Sequence, residues 1–155
     1  MSDQQPTPAL VIRLATPEDI EQIDYLDSFS SSPTREIHRD LDKYFGSVDP
    51  STHEHTLIFL LEIDGSTVGK AELMLPPQDT SNAIGYLKRI VIHPSFQGKG
   101  LAQQLLTHII TYACSERKLA GLDLHVWEQN LPAIHLYEML GFELQHRELY
   151  YRLKL

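Results

Sequence analysis

The stretch that most constrains this chain runs from Ile84 to Trp127. It reads as an apolar strand, a His-Pro turn, two glycines around a lysine, a long amphipathic run, and a second strand. Ile84 to Ile92 has strand character. Gly100 to Lys118 has helix composition, with Leu101, Leu105, Leu106, Ile109, Ile110 and Ala113 recurring at helical spacing. Gly121 closes that run, and Leu122 to Trp127 is the next predicted strand. A strand–helix–strand unit implies a parallel pair with a right-handed crossover. The junction before the helix has its own chemistry. The first N–H groups of a helix have no intrahelical partner, and its dipole places partial positive charge there. Gly98 and Gly100 carry no side chain to hold a pyrophosphate away, and Lys99 adds positive charge nearby.

The N-terminal part follows a different pattern. Leu10 to Leu14 is a short strand. Thr16-Pro17-Glu18-Asp19 is a helix start, with Ile20, Ile23 and Leu26 behind it. After the break Ser28 to Ser32 and Pro33, a second helix is predicted over Thr34 to Phe45, then a loop from Gly46 to Glu54. His55 to Ile63 is almost continuously apolar, Asp64-Gly65 is a hairpin signal, and Val68 to Leu75 returns. Pro76-Pro77 ends that strand, and the polar Gln78 to Asn82 leads into Ile84. Downstream, Leu131 to Leu140 is a helix stopped by Gly141, and Phe142 to Leu155 offers one or two last strands. The expectation is one domain over 1–155, with 1–9 a flexible tail. Its fold class is α/β: a mixed, mostly antiparallel central sheet with one parallel strand–helix–strand unit and helices on both faces.

Charge and composition narrow the function. A formal net charge of −8 opposes general nucleic-acid affinity, which needs a basic surface. No apolar run approaches the roughly 20 residues that span a bilayer, and Met1 to Pro8 has neither the basic start nor the apolar stretch of a secretory signal. The single cysteine, Cys114, excludes an internal disulfide; set among apolar helix neighbours, it is expected to be a buried, inert thiol. These features predict a cytoplasmic protein. His53-Glu54-His55 lacks metal-site spacing and a third ligand, so no metal is expected.

The glycine loop fits neither common nucleotide fingerprint. A Walker A loop needs Lys and then Ser or Thr after its second glycine, and a dinucleotide loop needs a third glycine where Gln103 stands. Gln97-x-x-Gly100-x-Ala102 instead resembles the Gln/Arg-x-x-Gly-x-Gly/Ala signature of the GNAT N-acetyltransferase superfamily, preceded by the similar Val91-Ile92-His93-Pro94. A second block, Asn130-Leu-Pro-Ala133 through Leu136-Tyr137 to Gly141-Phe142, is similar to that family's Asn-x-x-Ala-x-x-Leu-Tyr-x-x-x-Gly-Phe motif. The resemblance is detailed from Ile84 onward and covers only element order before it.

The resemblance implies a GNAT-like sheet and acetyl-coenzyme A as co-substrate, lying in a V-shaped opening between the strands Ile84–Ile92 and Leu122–Trp127. The backbone of Ile90, Val91 and Ile92 would pair with the pantetheine arm and acetyl carbonyl. Gln97, Gly98, Lys99, Gly100, Leu101, Ala102 and Gln103 would hold the pyrophosphate, and Asn130 would contact the pantetheine arm. Tyr137 matches the general acid that protonates the departing thiolate. The general base stays open. Family members often place a glutamate where this chain has Tyr86, or five residues before the motif asparagine, where it has His125. Histidine ordinarily titrates nearest neutral pH, which suits removing a proton from an ammonium. Glu72 is the alternative base, and Glu128 a further candidate. Tyr25, Phe29, Tyr44 and Phe45 are expected mostly in the core, in a region that often walls the acceptor site. The implied partner is a small-molecule amine or a peptide or protein amine, with no nucleic acid and no membrane; a homodimer is allowed. The competing reading is a non-catalytic acyl-coenzyme A-binding or sensor domain.

Overall fold

The computed structural model describes residues 9–45, 53–77 and 82–155. Most of the predicted tail (1–9), of the loop 46–54 and of the connection 78–82 lies outside the described residues. One sheet contains Leu10–Leu14 (β1), His55–Ile63 (β2), Ser66–Leu75 (β3), Ile84–Ile92 (β4) and Gly121–Asp123 (β5), in that order. β1 to β4 pair antiparallel, and β4 pairs with β5 in parallel, across the helix α3 (Leu101–Ser115). Asp64 and Gly65 take φ of 48° and 82°, the left-handed turn that closes β2 onto β3. The mixed α/β fold, mostly antiparallel with one parallel pair, is the one the sequence predicts.

β2 is apolar almost throughout because both its faces are covered. Ile58 and Leu60 are buried with Ile20, Ile23, Ile37 and Tyr44, beneath α1 (Ile20–Asp27). Phe59 points the other way and meets His108 and Tyr112 of α3 edge-on, with centroids 6.0 and 5.2 Å away. Residues directly opposite in an antiparallel pair share a face. Glu72, opposite Ile58, and Lys70, opposite Leu60, therefore lie on the α1 face.

Four expectations are corrected. The helix predicted over Thr34 to Phe45 is a 3-10 turn, Ile37–Arg39, and a single helical turn, α2 (Leu41–Tyr44). Arg35 is drawn inward to carboxylates while Ile37 and Tyr44 are buried, and one regular helix does not serve all three. The strand predicted over Leu122 to Trp127 is only Gly121–Asp123, because β4 pairs with it no further than Tyr86. Phe142 to Leu155 contains no strand; a strand exists through its pairing, and this segment has none. Cys114 is exposed: Ala113 takes the core position, and the helical turn of about 100° per residue carries Cys114 to the solvent side.

By packing, the chain divides into a unit ending at His125 and a second unit, Val126–Leu155, which contains α4 (Leu131–Met139). Among the described residues no helix is long and apolar enough to cross a membrane.

Candidate active site

β4 is interrupted where it matters. Lys70 faces Val91 and Glu72 faces Lys88, so Ala71 stands opposite two residues, Arg89 and Ile90. This is a β-bulge, and Arg89 has a left-handed φ of 51°. On its other edge β4 pairs with β5 only from Ile84↔Gly121 to Tyr86↔Asp123. Beyond Tyr86 the described residues give β4 no strand partner on that side. The backbone of Ile90, Val91 and Ile92 thus lies along the part of this edge that β5 does not pair.

The strand runs into the glycine loop through a 3-10 turn, Pro94–Phe96. Gln97 folds back, its Nε2 donating to the Ile92 carbonyl at 3.1 Å. Gly98 and Gly100 have φ of 77° and 75°, and Gly100 is the N-cap of α3. A Cβ built on either would meet nothing within 4 Å. Glycine is needed there for backbone handedness, and the space in front of the loop is open. Lys99 Nζ lies 5.2 Å from the centroid of the Phe96 ring. No side chain caps α3, so the N–H groups of Leu101, Ala102 and Gln103 head the helix with its positive dipole end. This donor set fits a polyphosphate ester.

Tyr86 and His125 are 39 residues apart in sequence and meet here: Tyr86 Oη lies 2.5 Å from His125 Nδ1. The register explains the meeting. Tyr86 sits beside Asp123 in the parallel ladder, and His125 follows two residues after it. Lys88, absent from the sequence-derived candidates, shares the Tyr86 face two residues on. Burial pushes its ammonium pKa down, against an opposing pull from Glu72.

Glu72, directly opposite Lys88 on the same face of the sheet, is held within a buried charge network. It is fully buried and accepts from Arg35 Nη1 at 2.6 Å, from Arg35 Nη2, and from Lys70 Nζ at 2.6 Å. Burial alone would raise its pKa, but the Arg35 bonds and the Lys70 charge outweigh that and lower it. Asp27 joins the network through Arg35 Nε at 3.1 Å and as an ion pair with Lys70 at 2.7 Å, off the hydrogen-bonding axis. Of the four aromatics expected in the core, Tyr44 is buried there, and Phe45 is half-buried against the same cluster. Tyr25 and Phe29 are exposed and cluster with His93, whose Nε2 lies 3.2 Å from Tyr25 Oη.

In the second unit Asn130 caps α4, its Oδ1 accepting from the Ala133 N–H at 3.3 Å. Two turns on, Tyr137 is half-buried with its ring against Phe142, and burial raises its pKa. Glu128 is exposed and pairs loosely with Arg147 at 3.8 Å.

An α/β domain whose β4 strand, bulged against β3 and parallel to β5, runs into a glycine-turned helix N-terminus has a donor arrangement suited to phosphate-bearing ligands. The comparisons make this specific: the acetyltransferase (GNAT) family pattern matches residues 17–142, so the chain belongs to the GNAT acetyltransferase family. Enzymes of this family use acetyl-coenzyme A as co-substrate. The chain is 34% identical to the spermine/spermidine N(1)-acetyltransferase of Bacillus subtilis (strain 168) over 86 residues, 54% of this chain and 57% of that protein. It is 28% identical to the glucosamine 6-phosphate N-acetyltransferase of Trypanosoma brucei brucei over 96 residues, 61% of this chain and 63% of that one. These matches span little more than half the length of either relative. Among solved structures, an aminoglycoside N-acetyltransferase in complex with CoA superposes with a TM-score of 0.73 at 19% identity, covering 97% of this chain and 98% of the other.

Proposed function

We propose that the protein is an N-acetyltransferase that moves an acetyl group from acetyl-coenzyme A to a primary amine by direct attack in a ternary complex. The observation that carries this reading is the β4 edge, left unpaired by β5 beyond Tyr86, bulged at Arg89–Ile90 and continuous with the loop of Gly98 and Gly100. When bound, acetyl-coenzyme A supplies an activated thioester, so the protein's task is positioning and charge stabilisation.

Backbone groups of Ile90, Val91 and Ile92 would orient the pantetheine and the acetyl carbonyl. The backbone of Gln97 to Gln103, with Lys99, would hold the pyrophosphate. Asn130 spends Oδ1 on its cap, so its Nδ2 is the end that would donate to the pantetheine arm. Tyr137, kept protonated by burial, would give its proton to the departing thiolate sulfur. His125 would take the proton of the attacking ammonium at Nε2; its Nδ1–H then donates to Tyr86 Oη, which fixes the tautomer. Glu72, fully buried between Arg35 and Lys70, has a positioning role instead of that of the base. The acceptors named for the relatives make polyamines and amino sugars the first amines to try, and a cytoplasmic setting is part of the same reading.

The test is release of free CoA thiol from acetyl-CoA in the presence of spermidine, an aminoglycoside, glucosamine 6-phosphate, amino acids and peptides. At least one amine should be acetylated. Tyr137→Phe should lower kcat by about 10² or more while the Kd for CoA moves less than about threefold. Tight CoA binding without acetylation of any amine would establish the second reading, a non-catalytic acyl-coenzyme A sensor. That reading draws on Tyr86, which stands where the family resemblance implies a glutamate.

A further inference from the structure

The buried charge network is a poor investment in stability alone. Lys70 and Glu72 are both fully buried, and removing two ions from water offsets much of what their pairing returns. Its placement shows what else it does. Asp27 ends α1; Arg35 lies in the segment after it; Lys70 and Glu72 are on β3; Arg89 is the left-handed bulge residue of β4. Besides its two carboxylates, Lys70 Nζ donates to the Arg89 carbonyl oxygen at 3.2 Å. Arg89 Nη2 donates to the Pro33 carbonyl at 2.9 Å, and its Nη1 lies 4.0 Å from Asp27 Oδ2. The bulge is thus gripped from below by its backbone carbonyl and from above by its own side chain.

We infer that Lys70, held by Glu72 and Asp27, is a positioning residue that fixes the peptide unit of Arg89 and so orients the Ile90–Ile92 backbone along the β4 edge that β5 leaves unpaired. The inference rests on the reading of that edge as the acetyl and pantetheine contact. A bulge carbonyl normally lacks a ladder partner and is free to rotate its peptide plane. A buried ammonium locks that plane, because rotating the carbonyl away would leave a donor unsatisfied in the interior. Arg35 closes the set by matching both oxygens of Glu72, which keeps Lys70 Nζ from being drawn wholly onto that carboxylate.

The test separates positioning from structure. Lys70→Met leaves Glu72 with Arg35 but loses the bond to the Arg89 carbonyl. Lys70→Met/Glu72→Gln removes one buried charge of each sign while the amide oxygen at position 72 still accepts from Arg35, so no buried ion is left without a partner. Three readouts apply to the intact chain: urea unfolding, amide hydrogen exchange of residues 88–92 with and without CoA, and kcat against Kd for CoA with the best amine acceptor. The double variant should regain most of the stability lost in Lys70→Met, yet both variants should exchange the Ile90–Ile92 amides at least tenfold faster. Both should lose at least tenfold in kcat, with Kd for CoA within threefold. Return of slow exchange and of kcat together with stability in the double variant would overturn the inference. If the parent protein acetylates no amine, the underlying reading fails, and hydrogen exchange alone decides whether Lys70 fixes the bulge.

Discussion

At the outer edge of the sheet, Arg13 on β1 bonds both oxygens of Asp19 at 2.8 Å and Glu62 at 2.8 and 3.1 Å. Further in, Arg35 bonds both oxygens of Glu72 and, through Nε, Asp27. On paper these are equivalent: one guanidinium and two carboxylates, each with a bidentate pair. Their surroundings separate them. The Arg13 side chain is 36% exposed, whereas Arg35 is 10% exposed and Glu72 not at all. Water can replace a lost partner at the edge, but not beneath α1. The same contact geometry is therefore a staple in one place and a structural commitment in the other. Only the inner network adds a lysine that reaches a backbone carbonyl of β4.

Truncation should give the largest contrast. Arg35→Met removes two of the three hydrogen bonds that Glu72 accepts and leaves Asp27 paired closely with Lys70 alone, and urea unfolding should show a loss of about 3–5 kcal/mol. Arg13→Met should lose no more than about 1 kcal/mol. Equal losses would end the comparison. A smaller effect is expected in acid. Asp19 is held at about 2, below its ordinary 3.8, chiefly by its hydrogen bonds from Arg13, while burial pulls the other way. A depressed carboxylate contributes stability that is present above pH 3.8 and lost as pH falls toward 2. The stability gap between the parent and Asp19→Asn should therefore narrow by about 1 kcal/mol between pH 4 and pH 2, solvent screening having reduced the full linkage value. A constant gap would mean that the pair is not coupled to folding. The smallest effect should come from salt. Raising NaCl from about 0.1 to 1 M shortens the screening length to about 3 Å. The Arg13→Met loss should shrink by a few tenths of a kcal/mol while the Arg35→Met loss holds steady.

Sequence patterns located β2 and β4 to the residue and α3 and α4 closely, because those segments carry long, unbroken periodicity between strong punctuators. The turn at Gly98 and Gly100 was legible for the same reason: two glycines before a helix mark a left-handed backbone. The bulge was not. Arg89 is neither glycine nor asparagine, and its left-handed turn follows from what grips it, not from its own preference. Lys70-Ala71-Glu72 reads as a strand with a solvated polar face, and only the placement of α1 and Arg35 buries it. The Tyr86–His125 contact was hidden in the register of a three-residue parallel ladder, although both positions had been singled out separately. The helix over Thr34 to Phe45 failed because composition there favoured a helix while tertiary anchors divided it.

Gly98 and Gly100 invite a last consideration about inheritance. A side chain at either position would collide with nothing, and its main penalty is a left-handed backbone, about 1–2 kcal/mol. A copy of this chain that drifted at those positions would still fold and accumulate. Under the proposed function its pyrophosphate loop would be silenced, so that loss of activity and loss of structure would be separate events, one substitution apart.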